Sequence, residues 1–443
     1  MSQRSRSSLG KRNIVRFYLA RLREHLWLKP LISCVFSLGA AFVAKFADHF
    51  VAPQFFPDIN SESIETLLAI ISASMLVIAV FSVGAMLSAY GSASNSATPH
   101  SFPLVVSDDV SQNALSAFIG AFIFSIVALG AMLNGFYGQP GRFVLFLITI
   151  VVFAIVIFSF VRWVDRIARL GRLDNTMEKV EAATDAALKR QAQLPTLGAA
   201  RATAAGQGTA VCPETVGFVQ NIDVAKLQRL AEKIDSTISI CALPGAFATP
   251  GSPLAYITKK DIPSSARAPK IIVEAFMIAD QRTFESDPRF GLIVLSEIAS
   301  RALSPAVNDP GTAIDIIGTF VRLFVRWAQA CEENDNRTIE YDRVAIMEIS
   351  LNDMFDDAFN AIARDGAPSV EVAIRLQKAF HSLTLLGHDE MRQAAITHSK
   401  LALRYAEQSL KLPQELEAIR SVAQRIVQRA AEDAQSAPRE LTR

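Results

Sequence analysis

The side chains best suited to chemistry crowd into two short stretches, Arg282-Thr283-Phe284-Glu285-Ser286-Asp287-Pro288-Arg289-Phe290-Gly291 and Arg301-Ala302-Leu303-Ser304-Pro305-Ala306-Val307-Asn308-Asp309-Pro310-Gly311-Thr312-Ala313. In the second, Asp309 followed by Pro310 reads as a helix start. A carboxylate there accepts orphan amide hydrogens, and proline suits the first helical position. The same helix N-terminus would also suit an anion or polar ligand. Arg282, Arg301, Asn308, Asp309 and Thr312 are therefore the candidate ligand set, against the plainer reading of a structural cap. Arg282, Glu285, Asp287, Arg289 and Glu297 form a charged cluster that fits a domain interface at least as well as acid/base catalysis, because no nucleophile and base are paired beside it. Asn352, Asp353, Asp356 and Asp357 fall on one helix face and read as solvated. His381, His388 and His398 lack metal-ligand spacing and read as surface or capping residues. Cys34, Cys212, Cys241 and Cys331 are scattered without any CxxC, and no phosphate-binding loop, dinucleotide fingerprint or zinc-protease helix occurs. The sequence thus supplies no catalytic residue, no metal site and no cofactor.

Those two stretches, with Gly217-Phe218-Val219-Gln220-Asn221-Ile222-Asp223, Pro244-Gly245-Ala246-Phe247 and the segment from Ser92 through Gly120, resemble a bacterial family of predicted membrane proteins, domain of unknown function 2254. The resemblance covers nearly the whole chain and implies a topology rather than a reaction. It departs at Thr98-Pro99-His100, where the family usually has Ser-Pro-Arg, and at Arg162-Trp163, where it usually has paired histidines.

What must position these residues begins in lipid. Of 443 residues 51% are hydrophobic, and the excess is concentrated in Leu31 to Phe50, Ile64 to Tyr90, Asn113 to Leu133 and Phe143 to Val161. Each run matches the ~20 residues that cross a hydrocarbon core as a helix. Arg4, Arg6, Lys11, Arg12, Arg16, Arg21, Arg23 and Lys29 precede the first span against Glu24 alone. Arg162, Arg166, Arg169, Arg172 and Lys179 follow the fourth, and Val51 to Ser63 has no Lys or Arg. The positive-inside rule then places both termini in the cytoplasm of a multi-pass inner-membrane protein. Beyond Glu65, spans two to four carry no Asp, Glu, Lys, Arg or His, which argues against a proton-coupled carrier. Lys45, Asp48 and His49 read as snorkelling from the end of the first span. Gly84 and Ser88 in the second span, and Ser116, Gly120, Ala117, Ala121 and Ser125 in the third, offer small-residue faces for close helix packing between subunits.

The expected fold is a four-helix transmembrane domain joined to an α+β domain, mostly helical with a small β unit. Its boundaries are a basic segment over 1–30, the spans over 31–162, a juxtamembrane amphipathic helix over 163–190, a linker over 191–213, the β unit over 214–262, a helical domain over 263–434 and a frayed tail over 435–443. The stripe from Trp163 through Ile167, Leu170, Leu173, Met177, Val180 and Thr184 to Ala187 suits packing on the chain's own domain or a seam between subunits. A net charge of +1 gives no case for nucleic acid, so the expected partners are the bilayer and further copies of the chain. The leading function is a homo-oligomeric channel or transport-related protein with a cytoplasmic gating domain. A membrane-anchored sensor or scaffold is the alternative, and a membrane-bound enzyme the third.

Overall fold

The computed structural model describes residues 27–50, 57, 59–106, 108–202, 207–258, 267–333 and 339–436. The basic segment before Trp27, on which the orientation argument rests, lies outside the described residues, as does most of the expected tail. The chain divides into two compact units, parting between Lys179 and Val180.

In the first unit four helices are long and apolar enough to cross a bilayer: α1 (Leu28–Phe50), α2 (Ser61–Ser96), α4 (Asp109–Leu133) and α5 (Gln139–Arg169). A short α3 (Phe102–Val106) lies between α2 and α4. At 1.5 Å per residue α2 is about 54 Å long, well beyond a ~30 Å hydrocarbon core. Helix α4 is the most enclosed of the four, and the interior around it is filled by side chains such as Phe118, Phe124, Ala128, Leu145 and Trp163.

The third-span small residues are spent within the chain. A Cβ added at Gly120 would lie 2.2 Å from Ser33 Oγ and 3.2 Å from Ser37 Oγ on α1, and Ser116, Ala121 and Ser125 are buried. Gly120 lets α1 approach α4, and Ala121 packs toward the second span, so the close packing expected between subunits on this span is met within the chain. On α2, by contrast, Gly84 and Ser88 are exposed, and no atom lies within 4 Å of the position a Cβ would take at Gly84.

Lys45 and Asp48, expected to snorkel at the end of the first span, make defined contacts there. Gly138, at the start of α5, has no side chain to cap the helix. The Asp48 carboxylate takes that role by accepting hydrogen bonds from the Gly138 and Gly141 amides at 2.8 and 2.7 Å. Lys45 Nζ donates to Phe136 O at 2.6 Å and pairs with Asp48 at 3.2 Å.

The stripe expected as one helix from Trp163 to Ala187 is broken. Helix α5 ends at Arg169, Gly171 adopts a φ of +87° against the Ala89 carbonyl, and α6 (Leu173–Gln193) starts afresh. Trp163 and Leu170 are buried in the first unit. In the second, Thr184 sits against Gly291, so closely that a Cβ there would lie 1.9 Å from its Oγ1.

The second unit contains two sheets and a helical bundle. One sheet has the order β1 (Ala199–Arg201), β8 (Tyr341–Ile346), β4 (Ile238–Ile240), β6 (Ala255–Ile257), β2 (Thr209–Val211). Strand β8 runs parallel to both β1 and β4, and the remaining pairs are antiparallel. The other sheet is antiparallel, with β3 (Gly217–Ile222) between β5 (Phe247–Ala248) and β7 (Phe276–Ala279). Helix α7 (Val224–Lys233), capped by Asp223, buries Leu227, Leu230 and Ala231 in the core these strands share. The stretch expected as a linker therefore supplies β1 and β2, and the expected helical region supplies β7 and β8, the latter between β1 and β4 in the larger sheet.

A short α8 (Ala268–Val273) precedes β7. The bundle comprises α9 (Pro288–Ala302), α10 (Pro310–Glu332), α11 (Leu351–Asp365), α12 (Val370–Thr384), α13 (Asp389–Ser409) and α14 (Pro413–Ser436). Phe320, Phe324, Phe355, Phe359 and Phe380 are fully buried and pack ring on ring with centroids 4.6 to 5.9 Å apart.

Candidate functional site

Asp287 closes the first of the motif stretches. It is 2% exposed and caps α9, accepting from the Arg289 and Phe290 amides at 3.1 and 3.2 Å. Its other oxygen accepts from Arg282 Nε at 2.6 Å, and the Arg282 guanidinium lies over the Phe290 ring, 5.5 Å from its centroid. Gly245, at φ +91°, lies directly over this pair: an added Cβ would meet Asp287 Oδ2 at 2.3 Å. The Gly245 amide donates to Val219 O at 2.8 Å, and Gln220 Nε2 donates to Gln281 O at 2.7 Å. Three sequence-distant segments, 217–223, 244–247 and 282–291, thus converge on one ion pair.

Arg289 extends the network to α11. Its Nε and Nη2 reach the two oxygens of Asp357 at 2.5 and 3.1 Å, and Nη1 reaches Asp353 at 3.0 Å. Burial pushes the Asp357 carboxyl above its usual range, opposed by the hydrogen bonds and charge of Arg289. Of the acidic face expected to be solvated, Asn352, Asp353 and Asp356 keep substantial exposure, and Asp357 is drawn into the ion pair. Asp356 accepts from Asn360 at 2.6 Å and faces His398 Nε2 at 2.9 Å. His398 itself is buried beside Phe355 and Phe380, which corrects the surface or capping role expected of it. His388 does act as a cap, its Nδ1 accepting from the Met391 amide at 3.3 Å.

Asp309 stands at the N-cap of α10. It accepts from the Thr312 amide at 3.1 Å and the Thr312 hydroxyl at 2.6 Å. These hydrogen bonds hold its carboxyl below the usual range. Asn308 takes φ +52° to bring it there. Of the candidate ligand set, Asn308, Asp309 and Thr312 are together at one turn. Arg282 is held by Asp287, and Arg301 lies in the last turn of α9. Asp309→Ala is expected to cost about 1 kcal/mol of stability and Asp309→Asn almost nothing, read as unfolding midpoints, because asparagine caps nearly as well as aspartate.

The first unit holds an ionic centre with no counterpart in the sequence reading. Asp108 is 4% exposed and caps α4 through the Ser111 amide at 3.1 Å and hydroxyl at 2.8 Å. On the same carboxylate converge Arg166 of α5, through Nε at 2.8 Å and Nη2 at 2.5 Å, and Lys179 of α6 at 3.2 Å. Arg166 Nη1 donates to Asn175 Oδ1 at 3.4 Å. Burial works against the charge on Asp108, but the Arg166 hydrogen bonds, the Lys179 charge and the Ser111 hydroxyl outweigh it and hold the carboxyl well below its ordinary range. The loop between the second and third apolar helices is thereby tied to the end of the fourth and the start of α6. Each residue alone reads as a cap or as part of the basic flank. The available signal was that Asp108 and Asp109 are the only acids in an otherwise uncharged loop facing a run of cations.

Among the described residues no group of three His, Cys, Asp or Glu side chains is placed to hold a metal ion. The charged groups described at these centres are hydrogen-bonded or ion-paired within the chain.

Comparison with known proteins agrees with the membrane architecture. The chain is 34% identical over 104 residues to uncharacterized proteins of Mycobacterium bovis and Mycobacterium tuberculosis. That match covers 23% of this chain and 20% of each relative, so the shared region is about a fifth of the relatives' length. No solved structure matches the chain. A family model described as predicted membrane protein, domain of unknown function 2254, matches residues 23–382. With four apolar helices and an α+β unit behind that match, the chain belongs to this family of predicted membrane proteins.

Proposed function

We propose that the protein is a homo-oligomeric channel or transport-related protein of the bacterial inner membrane, multi-pass, with both termini and the 180–443 unit in the cytoplasm. The observation that carries this reading is the exposed small-residue face of α2 at Gly84 and Ser88, beside a bundle whose interior is filled by Phe118, Phe124 and Trp163. Among the described residues the interior of a single bundle is filled by side chains, so in this reading a pathway needs several copies, and close approach at small residues is the available packing energy in lipid. Residues 180–443 act in this reading as the gating domain, with α6 as the element that reaches Asp108.

A membrane-anchored sensor or scaffold is the second reading, favoured by the Asp108 centre, which would register displacement of α6 at the membrane without any pore. Reconstitution separates the two. Purified protein in liposomes is expected to carry ion flux above empty liposomes. Gly84→Leu, which has room to fold, is expected to abolish flux and reduce the particle to a monomer. Wild-type protein that is monomeric in nanodiscs across lipids and carries no flux removes the pore reading and leaves the sensor.

A further inference from the structure

We propose that the second unit carries a binding cleft for a small organic polycation, a flexible chain bearing two or more ammonium groups. The cleft has a volume of about 390 Å³, within the range of small-molecule sites. It is built where the C-terminal end of α6, β1, α10, the loop after β8 and the turn into α13 meet. Its lining includes Gln191, Arg201, Trp327, Glu348, His388 and Glu390. The inference is independent of the channel reading.

The aromatic wall is fixed before any ligand arrives. Trp327 is 7% exposed, and its Nε1 donates to Gln191 Oε1 at 2.7 Å, which holds the indole in one orientation. The His388 ring lies 5.6 Å from it, and His388 Nδ1 accepts the Met391 amide, so the ring keeps its orientation too. An indole face attracts cations, and both rings offer flat surface for alkyl chains to pack on.

The charges select the sign. Glu348, Asp389 and Glu390 line the cleft against one cation, Arg201. Arg201 is paired with Glu348 at 3.3 Å while its own side chain is 64% exposed, and Asp389 is paired with Arg392. The N-terminus of α13, which would otherwise favour an anion, already carries the His388 cap and two acids in its first turn. A phosphate entering here would meet an excess of carboxylates. An ammonium group would meet carboxylates at the rim and an aromatic wall behind them.

The test is calorimetric titration of the full chain in phosphatidylcholine nanodiscs with spermidine, using empty nanodiscs as the blank. Saturable binding at one site per chain is expected, with no response to 1,8-octanediol, which has similar reach and no charge. Glu348→Gln combined with Glu390→Gln is expected to weaken binding about tenfold. Arg201→Gln is expected to tighten it several-fold, because it removes the one cation that lines the cleft and its ion pair with Glu348. Absence of saturable binding overturns the proposal. So does binding unchanged by the double glutamate variant, which would put spermidine elsewhere. Binding of inorganic phosphate that Arg201→Gln weakens would make the cleft an anion site.

Discussion

Asp108→Ala is expected to lower the stability of the first unit by about 3 to 5 kcal/mol, the largest effect of any single substitution at its ionic centres. The reason is what remains behind. The buried carboxylate satisfies Arg166 twice, Lys179 once and the Ser111 amide and hydroxyl. Removing it leaves two partly buried cations without their counter-charge and uncaps α4. Asp108→Asn keeps the cap and loses only the charge, so its cost is expected to lie between wild type and alanine. The pH dependence has a definite sign. The folded-state carboxyl titrates below its unfolded value, so its contribution is fully present above about pH 4 and is lost as pH falls through the folded value. From pH 5 to 8 this group should leave the unfolding midpoint unchanged. Thermal midpoints of wild type and both variants in nanodiscs at pH 3.5, 5 and 7.5 check this. A wild-type midpoint that is already as low as the alanine variant's at pH 7.5 would mean the centre is not formed.

In the second unit Asp287→Ala is expected to cost a comparable ~3 to 5 kcal/mol, since it strands Arg282 and removes the one oxygen that accepts from two amides at the start of α9. Gly245→Ala should act on the same place from the opposite side. It forces an L side chain into φ +91° and drives its Cβ toward the Asp287 carboxylate. Because both changes damage one contact, their combination should cost less than the sum of the two. Chemical unfolding of the two single variants and the double variant measures that coupling. Strict additivity would show that the Gly245 turn and the Arg282–Asp287 pair are independent, and that the convergence of the three segments has no energetic meaning.

How much of this was readable beforehand depended on how local each signal was. The four apolar helices were legible because a run of ~20 apolar residues has almost no other stable use. Their ends were not, since α5 continues past its apolar run through ordinary helix-forming residues, and α2 through Gly91-Ser92-Ala93-Ser94-Asn95-Ser96, which carries no helix signal of its own. Strands β1 and β2 were missed because three residues carry no period. Strand β8 alternates in Tyr341-Asp342-Arg343-Val344-Ala345-Ile346, but lies between helical patterns that absorbed it. The third-span small residues read as a packing surface, yet nothing in one sequence says whether the partner is a second chain or α1 of the same one. The Asp309 turn was legible because capping is a contact between neighbours in sequence. The Asp108 centre was not, because its cations are 58 and 71 residues away.

The central claim is that copies of this chain meet on α2 and not on α4. Cysteine cross-linking in the membrane tests it most directly. In a background with Cys34, Cys212, Cys241 and Cys331 replaced, Gly84→Cys or Ser88→Cys should give a disulfide-linked dimer on oxidation, and the buried Ser116→Cys should give none. Dimers from Ser116→Cys with none from Gly84→Cys or Ser88→Cys would contradict the account, as would a monomeric mass for the unmodified protein in lipid.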